Sequence, residues 1–198
     1  MTNFDPLKKG KAYAHRHSVD ERPEGDFYVT PRSLMWVART WFEQFLDKEL
    51  IVLDPCCGSH VMADALRPMG YEVRENDLYD GGVDYLCKDW METQVIMNPP
   101  FSQWDAFVMK AKSHADVIFS IGRLNYLSTQ SRYESTIWGG LQFVLPFTRY
   151  VDYRTPLRND GRYQCGAMAT GWFIWRKDYK GSPTLKMLDV QQYAGVIS

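Results

Sequence analysis

The stretch Val95-Ile96-Met97-Asn98-Pro99-Pro100-Phe101 joins a short apolar run to a polar amide, two prolines and an aromatic ring with nothing between them. The apolar run predicts an interior strand, and the prolines must end it because neither ring nitrogen can donate to a sheet ladder. The chain therefore turns sharply at the strand's carboxyl end. In open α/β sheets ligands bind at that edge, so a rigidly held amide and ring there point to a site rather than to plain strand punctuation.

The flanking sequence alternates between strand and helix patterns. Residues 49–53 read as a strand that runs into Asp54-Pro55-Cys56-Cys57-Gly58-Ser59-His60, after which Met62, Leu66 and Met69 mark a helix ended by Gly70. Small residues in such a turn let the backbone approach a ligand closely, and the helix start offers unpaired N–H groups. Residues 71–74 form another short strand, closed by Glu75 and Asp77. An acid there either accepts ribose hydroxyls or decorates a turn. Gly81 and Gly82 turn the chain, Asp84-Tyr85-Leu86 follows, and beyond the central stretch Trp104, Phe107, Val108 and Ala111 give a helical i, i+3, i+4, i+7 pattern. Strands are expected at 117–121, 141–146 and 171–175, with a loop and helix over 124–140. Such alternation demands a mostly parallel, twisted sheet with helices on both faces.

Upstream, Thr30 suits an N-cap and Pro31 the first helical position, and Leu34, Val37, Trp41 and Phe45 predict one helix with one apolar stripe. Residues 1–20 carry Lys8, Lys9, Lys11, His15, Arg16 and His17 among few apolar groups, so they are expected to form a flexible basic arm. That arm either grips phosphates or is simply solvated. Residues 21–198 are expected to form one domain. Within it, Arg149, Arg154, Arg158 and Arg162 interleave with Tyr150, Tyr153 and Tyr163. This composition suits phosphate clamping and base stacking, and equally a surface loop between two antiparallel strands.

At 198 residues and 45% apolar content the chain can bury about 70% of its unfolded surface in a single core. No run approaches the roughly 18 apolar residues of a membrane span, and the polar start lacks a signal peptide's apolar core, so a cytoplasmic location is expected. A net charge of -1 neither supports nor excludes a nucleic-acid partner. Cys56, Cys57, Cys87 and Cys165 show no disulfide-scaffold or metal-ligand spacing and are read as reduced and free of metal.

With the glycine-bearing turn, the acid after the next strand and Asn98-Pro99-Pro100-Phe101 in this order, the chain resembles the S-adenosylmethionine-dependent DNA N6-adenine methyltransferases, most of all the small phage-encoded members. The resemblance covers residues 27–175. It implies an α/β, doubly wound, mostly parallel Rossmann-like methyltransferase sheet with an antiparallel C-terminal strand, and S-adenosyl-L-methionine as cofactor. By similarity Phe27, Tyr28, Thr30 and Pro31 line the cofactor's methionine end, and Asp54, Pro55, Cys56 and Gly58 form the cofactor loop. Asp77 holds the ribose, and Asp84 faces the adenine amino group.

The family's second glycine is replaced by His60, which is expected to begin the helix where no positive φ is required. No separate target-recognition domain is visible, so specificity must come from loops or from a protein partner. Arg123, Arg132, Arg149 and Arg154 are the candidate DNA contacts. The Asn98 side-chain oxygen and the Pro99 carbonyl are expected to accept the two amino hydrogens of adenine, with Pro100 stiffening the turn and Phe101 stacking on the extruded base. RNA adenine and protein glutamine are alternative substrates for this geometry, and a degenerate, non-catalytic DNA-binding module is the alternative of another class.

Overall fold

The computed structural model describes residues 29–151 and 168–190. The basic arm, Phe27, Tyr28, Arg154, Arg158, Arg162 and Cys165 lie outside the described residues. The chain forms α1 (Arg32–Val37), α2 (Arg39–Phe45), β1 (Val52–Asp54), α3 (Val61–Leu66), β2 (Val73–Glu75), β3 (Gln94–Met97), α4 (Trp104–His114) and β4 (Val117–Arg123). After these come α5 (Gln130–Glu134), β5 (Leu141–Pro146), β6 (Thr170–Arg176) and β7 (Thr184–Leu185).

The strands make one sheet in the order β2-β1-β3-β4-β6-β5-β7. β1 to β4 pair in parallel, β6 runs antiparallel to both β4 and β5, and β7 is parallel to β5. The expected late antiparallel strand is therefore β6, with the two-residue β7 added at the edge. Strand alternation divides the core. Val52, Ile96, Trp172 and Ile174 face a cluster built with Leu34, Phe42 and Leu66, whereas Leu53, Val95, Met97, Phe173 and Trp175 face Trp104, Phe107 and Val108 of α4. Helices cover both faces, as the sequence pattern requires. Trp172 Nε1 donates to the Leu34 carbonyl at 3.1 Å, fastening α1 to the sheet centre. No helix among the described residues is long and apolar enough to cross a membrane.

The first helix departs from expectation in three ways. Pro31, extended at φ -64° and ψ 134°, is itself the N-cap, and Thr30 makes no cap; its Oγ1 accepts instead from Asn98 Nδ2. Ala38, at φ -98° and ψ 2°, breaks the helix in two. The break turns the buried face to Leu34, Met35, Ala38, Phe42 and Leu46, leaving Val37, Trp41 and Phe45 at its margin, where the two aromatics pack on Phe143 of β5.

His60 also corrects an expectation, because it sits in the left-handed region at φ 61° and ψ 10° as the N-cap of α3. The position takes a positive φ, which a glycine would adopt freely and which histidine adopts at a steric cost of about 1–2 kcal/mol. His60→Gly is expected to keep or raise the unfolding midpoint, and β-branched His60→Val to lie about 1–2 kcal/mol below it. Both variants lose the ring's contacts equally, so equal stabilities in urea titration would contradict a strained backbone. At the same carboxyl edge of the sheet, Gly122 near the end of β4 lies under Trp104, whose Nε1 would be 2.8 Å from an added Cβ while it donates to the Ile121 carbonyl. Gly122→Ala is expected to cost about 1–3 kcal/mol by overpacking, read in the same titration.

Candidate active site

Parallel register sets the site. Asp54 pairs with Glu75 and Leu53 with Val95, so the ends of β1, β2 and β3 open on one edge, and the segments that follow them meet there. They meet around one open cleft with a volume of about 180 Å³. Of the residues proposed for the cofactor, Thr30, Pro55, Cys56, Gly58, Asp77 and Asp84 line this cleft, while Pro31 and Asp54 do not. Of those proposed for the chemistry, Asn98 and Pro100 line it and Pro99 and Phe101 do not.

The turn after β1 is held by hydrogen bonds to the strand beside it. Cys57 N donates to the Asn76 carbonyl at 3.0 Å, and Gly58 N donates to Asp77 Oδ2 at 2.9 Å. Gly58 itself has φ 49°. Asp77 Oδ1 accepts from Tyr79 N, which fixes the carboxylate at the start of the 3-10 turn Leu78–Asp80. Asn76, a residue the sequence reading passed over, staples this region: its amide donates to the carbonyls of Pro55 and Val83 and accepts from Val83 N. The same reading missed Tyr79, Val83, Tyr85, Gln103 and Phe107 as lining residues. An apolar ring and an apolar branch beside the Gly81-Gly82 turn are the sequence signal that could have marked Tyr79 and Val83, at 76% and 45% exposure.

Tyr85 forms the floor. Its hydroxyl meets His114 Nε2 at 2.9 Å, and His114 Nδ1 lies 2.7 Å from the Glu92 carbonyl. A carbonyl can only accept, so Nδ1 carries the proton and Nε2 accepts from Tyr85. Asp84 folds on itself, Oδ1 accepting from Leu86 N and Oδ2 from the Cys87 thiol.

Charge is compressed here. Burial raises the Asp54 carboxyl to about 8, with Glu75 and Asp77 adding to the effect, so it is a neutral acid near pH 7. Its Oδ2 is buried with no hydrogen-bond partner among the described residues. Burial, then Asp54, Glu75 and Asp77, push the Cys57 thiol up to about 12, and burial with Asp54 and Asp77 holds the Cys56 thiol well above its ordinary value, so neither is a thiolate nucleophile. Beyond the cleft lining, His60 Nδ1 lies 2.8 Å from Glu75 Oε1, and Arg67 donates to Glu75 Oε2 at 2.6 Å; the Glu75 carboxylate raises the His60 pKa.

Asn98 Nδ2 donates to Thr30 Oγ1 at 3.0 Å, which fixes the amide orientation and aims Oδ1 away from Thr30. Phe101 is 6% exposed and packs into the core, with its carbonyl accepting from the Tyr126 hydroxyl. The Arg123 guanidinium lies 4.9 Å over its ring. Arg123 ends β4, and β5 leads at the same edge to exposed Arg149. Arg132 is committed inward: it donates to Asp105 at 2.6 Å and lies 4.2 Å over the Tyr126 ring.

No protein-family model matches the chain, and no curated protein does. Solved structures match it by fold. A methyltransferase subunit of a type I restriction-modification system from Streptococcus thermophilus matches with TM-score 0.60 and 14% identity over 82% of this chain and 47% of that one. The chain thus spans about half of that subunit. A protein of Listeria monocytogenes assigned to the class I S-adenosylmethionine-dependent methyltransferases gives TM-score 0.59 and 13% identity over 81% and 65% of the two chains. A Pyrococcus horikoshii protein assigned as an RNA methyltransferase gives 0.56 and 19% over 76% and 86%. The chain has the Rossmann-like fold of these methyltransferases.

Proposed function

We propose that the protein is an S-adenosylmethionine-dependent methyltransferase that modifies the N6 amino group of adenine in DNA. The observation that carries this reading is the meeting, around one cleft, of the Gly58–Asp77 turn with the amide of Asn98. The donor set fits the cofactor. Each Asp77 oxygen accepts one N–H and keeps acceptor capacity for a ribose hydroxyl, and Leu78, Tyr79 and Val83 offer an apolar rim for a flat heterocycle. Asp84 has the same spare capacity for an amino group. When bound, S-adenosylmethionine supplies an electrophilic methyl group on a sulfonium.

The chain's own residues prepare the nucleophile. An exocyclic amine conjugated to a ring is weak, and Asn98 Oδ1, held by the bond from Nδ2 to Thr30, accepts one of its hydrogens and localises the lone pair. The Pro99 carbonyl accepts the other, and Pro100 fixes the turn that presents both. Protonated Cys56 and Cys57 provide no covalent route, which favours direct transfer. The target base leaves the duplex to reach the cleft. Because Arg123 covers the Phe101 ring, stacking of the base on Phe101 requires that guanidinium to turn outward toward phosphate. Arg123 and Arg149 are the DNA contacts at this edge, and Arg132, tied to Asp105, supports the loop behind them. The fold shared with a restriction-modification subunit supports DNA and a specificity-providing protein partner; the fold shared with a protein assigned as an RNA methyltransferase keeps RNA adenine as the second reading.

Asn98→Ala is expected to lower kcat about 10²–10³-fold while cofactor affinity by calorimetry is unchanged. Asp77→Asn is expected to raise the cofactor Kd about tenfold or more. Thr30→Val is expected to lower kcat by releasing the Asn98 amide, with Thr30→Ser restoring it. Wild-type kcat in Asn98→Ala, or wild-type cofactor affinity in Asp77→Asn, overturns the assignment.

A further inference from the structure

We propose that Cys57, His60 and Glu75 form a binding site for a single zinc ion at the turn after β1, where Cys57 borders the cleft and His60 and Glu75 lie beyond its lining. One ligand atom from each, the Cys57 Sγ, a His60 ring nitrogen and a Glu75 carboxylate oxygen, lies within 4.8 Å of the other two. The sequence places only Cys57 and His60 near each other, as C-x-x-H. Sheet register supplies the third ligand: Asp54 pairs with Glu75, so Glu75 ends β2 beside the turn that carries the other two.

Local structure prepares this arrangement. The left-handed backbone at His60 and its hydrogen bond place the ring nitrogen 2.8 Å from Glu75 Oε1. Arg67 holds Glu75 Oε2 at 2.6 Å, leaving Oε1 for the ion, which is the outer hydrogen bonding that orients carboxylate ligands in metal sites. Cys57 is held by its own N–H to the Asn76 carbonyl. Thiolate, imidazole and carboxylate together select a borderline-soft divalent cation over magnesium or calcium. With bonds of about 2.0–2.3 Å, zinc requires its ligand atoms about 3.5 Å apart. The exposed His60 side chain can make that adjustment by rotation. On binding, the Cys57 S–H bond is replaced by a sulfur–zinc bond and its proton passes to solvent. A water completes the tetrahedron. The ion would tie the turn after β1 and the start of α3 to the end of β2, clamping the loop that borders the cleft. Binding is read without the cofactor or a methyl acceptor, so its failure leaves the methyltransferase reading untouched.

The test is calorimetric titration of the chelator-treated full chain with zinc chloride, alongside absorption spectra with cobalt(II). The expected result is one ion per chain, a thiolate-to-cobalt charge-transfer band, and no binding of magnesium at the same concentrations. Cys57→Ser is expected to abolish the band, whereas Cys56→Ser and Cys87→Ser retain it. His60→Gly and Glu75→Gln should each weaken zinc at least tenfold. His60→Gly also relaxes the backbone, so it keeps the test decisive if Cys57→Ser does not fold. Absence of stoichiometric binding, a band that survives Cys57→Ser, or wild-type affinity in His60→Gly overturns the proposal.

Discussion

The parallel register at the centre of the sheet is the constraint on which the site depends. Val52 of β1 pairs with Val73 of β2 on one side and Gln94 of β3 on the other, which brings three strand ends level. From those ends emerge the turn with Gly58, the acid Asp77 and the amide Asn98, far apart in sequence and gathered at one edge. The apolar residues of β3 hold this alignment, with Ile96 packed into one face and Val95 and Met97 into the other. Slipping β3 by one residue would exchange those faces and move Asn98 off the cleft.

Around that frame the loops are fixed by polar bonds rather than by packing. Asn76 and Asp77 anchor neighbouring backbone amides and carbonyls, so the turn after β1 is defined before any ligand arrives. The cost is a concentration of acids, and burial answers it by keeping Asp54 protonated near neutral pH. His60 is strained within the same turn, and its exposed ring turns to Glu75 outside the cleft.

What the sequence made legible follows physical causes. β3 ends where expected, before Pro99, and β5 has the bounds expected, with Gly140, at φ 82°, turning the chain into it. β1 was expected over 49–53 and spans Val52–Asp54, since a ladder begins only where partner strands arrive, not where apolar residues do. The alternation of helices and strands carried the fold class. The break at Ala38, the positive φ of His60 and the burial of Phe101 were not legible, because each is decided by tertiary contacts that composition does not encode. Asn76 was invisible for the same reason: asparagine in a loop is common, and its role appears only when Pro55 and Val83 lie beside it. The cluster of Cys57, His60 and Glu75 likewise needs the β1–β2 register to exist.

The assignment of the cleft to adenine methylation rests on Asn98 acting on an amine beside a cofactor held at Gly58 and Asp77. The most direct measurement is transfer of labelled methyl from S-adenosylmethionine to unmethylated duplex DNA, single-stranded DNA and RNA in parallel, with the modified base identified after digestion. The account predicts label on N6 of adenine in DNA and background in RNA. Label confined to RNA, or none in any acceptor while the cofactor binds, would contradict it.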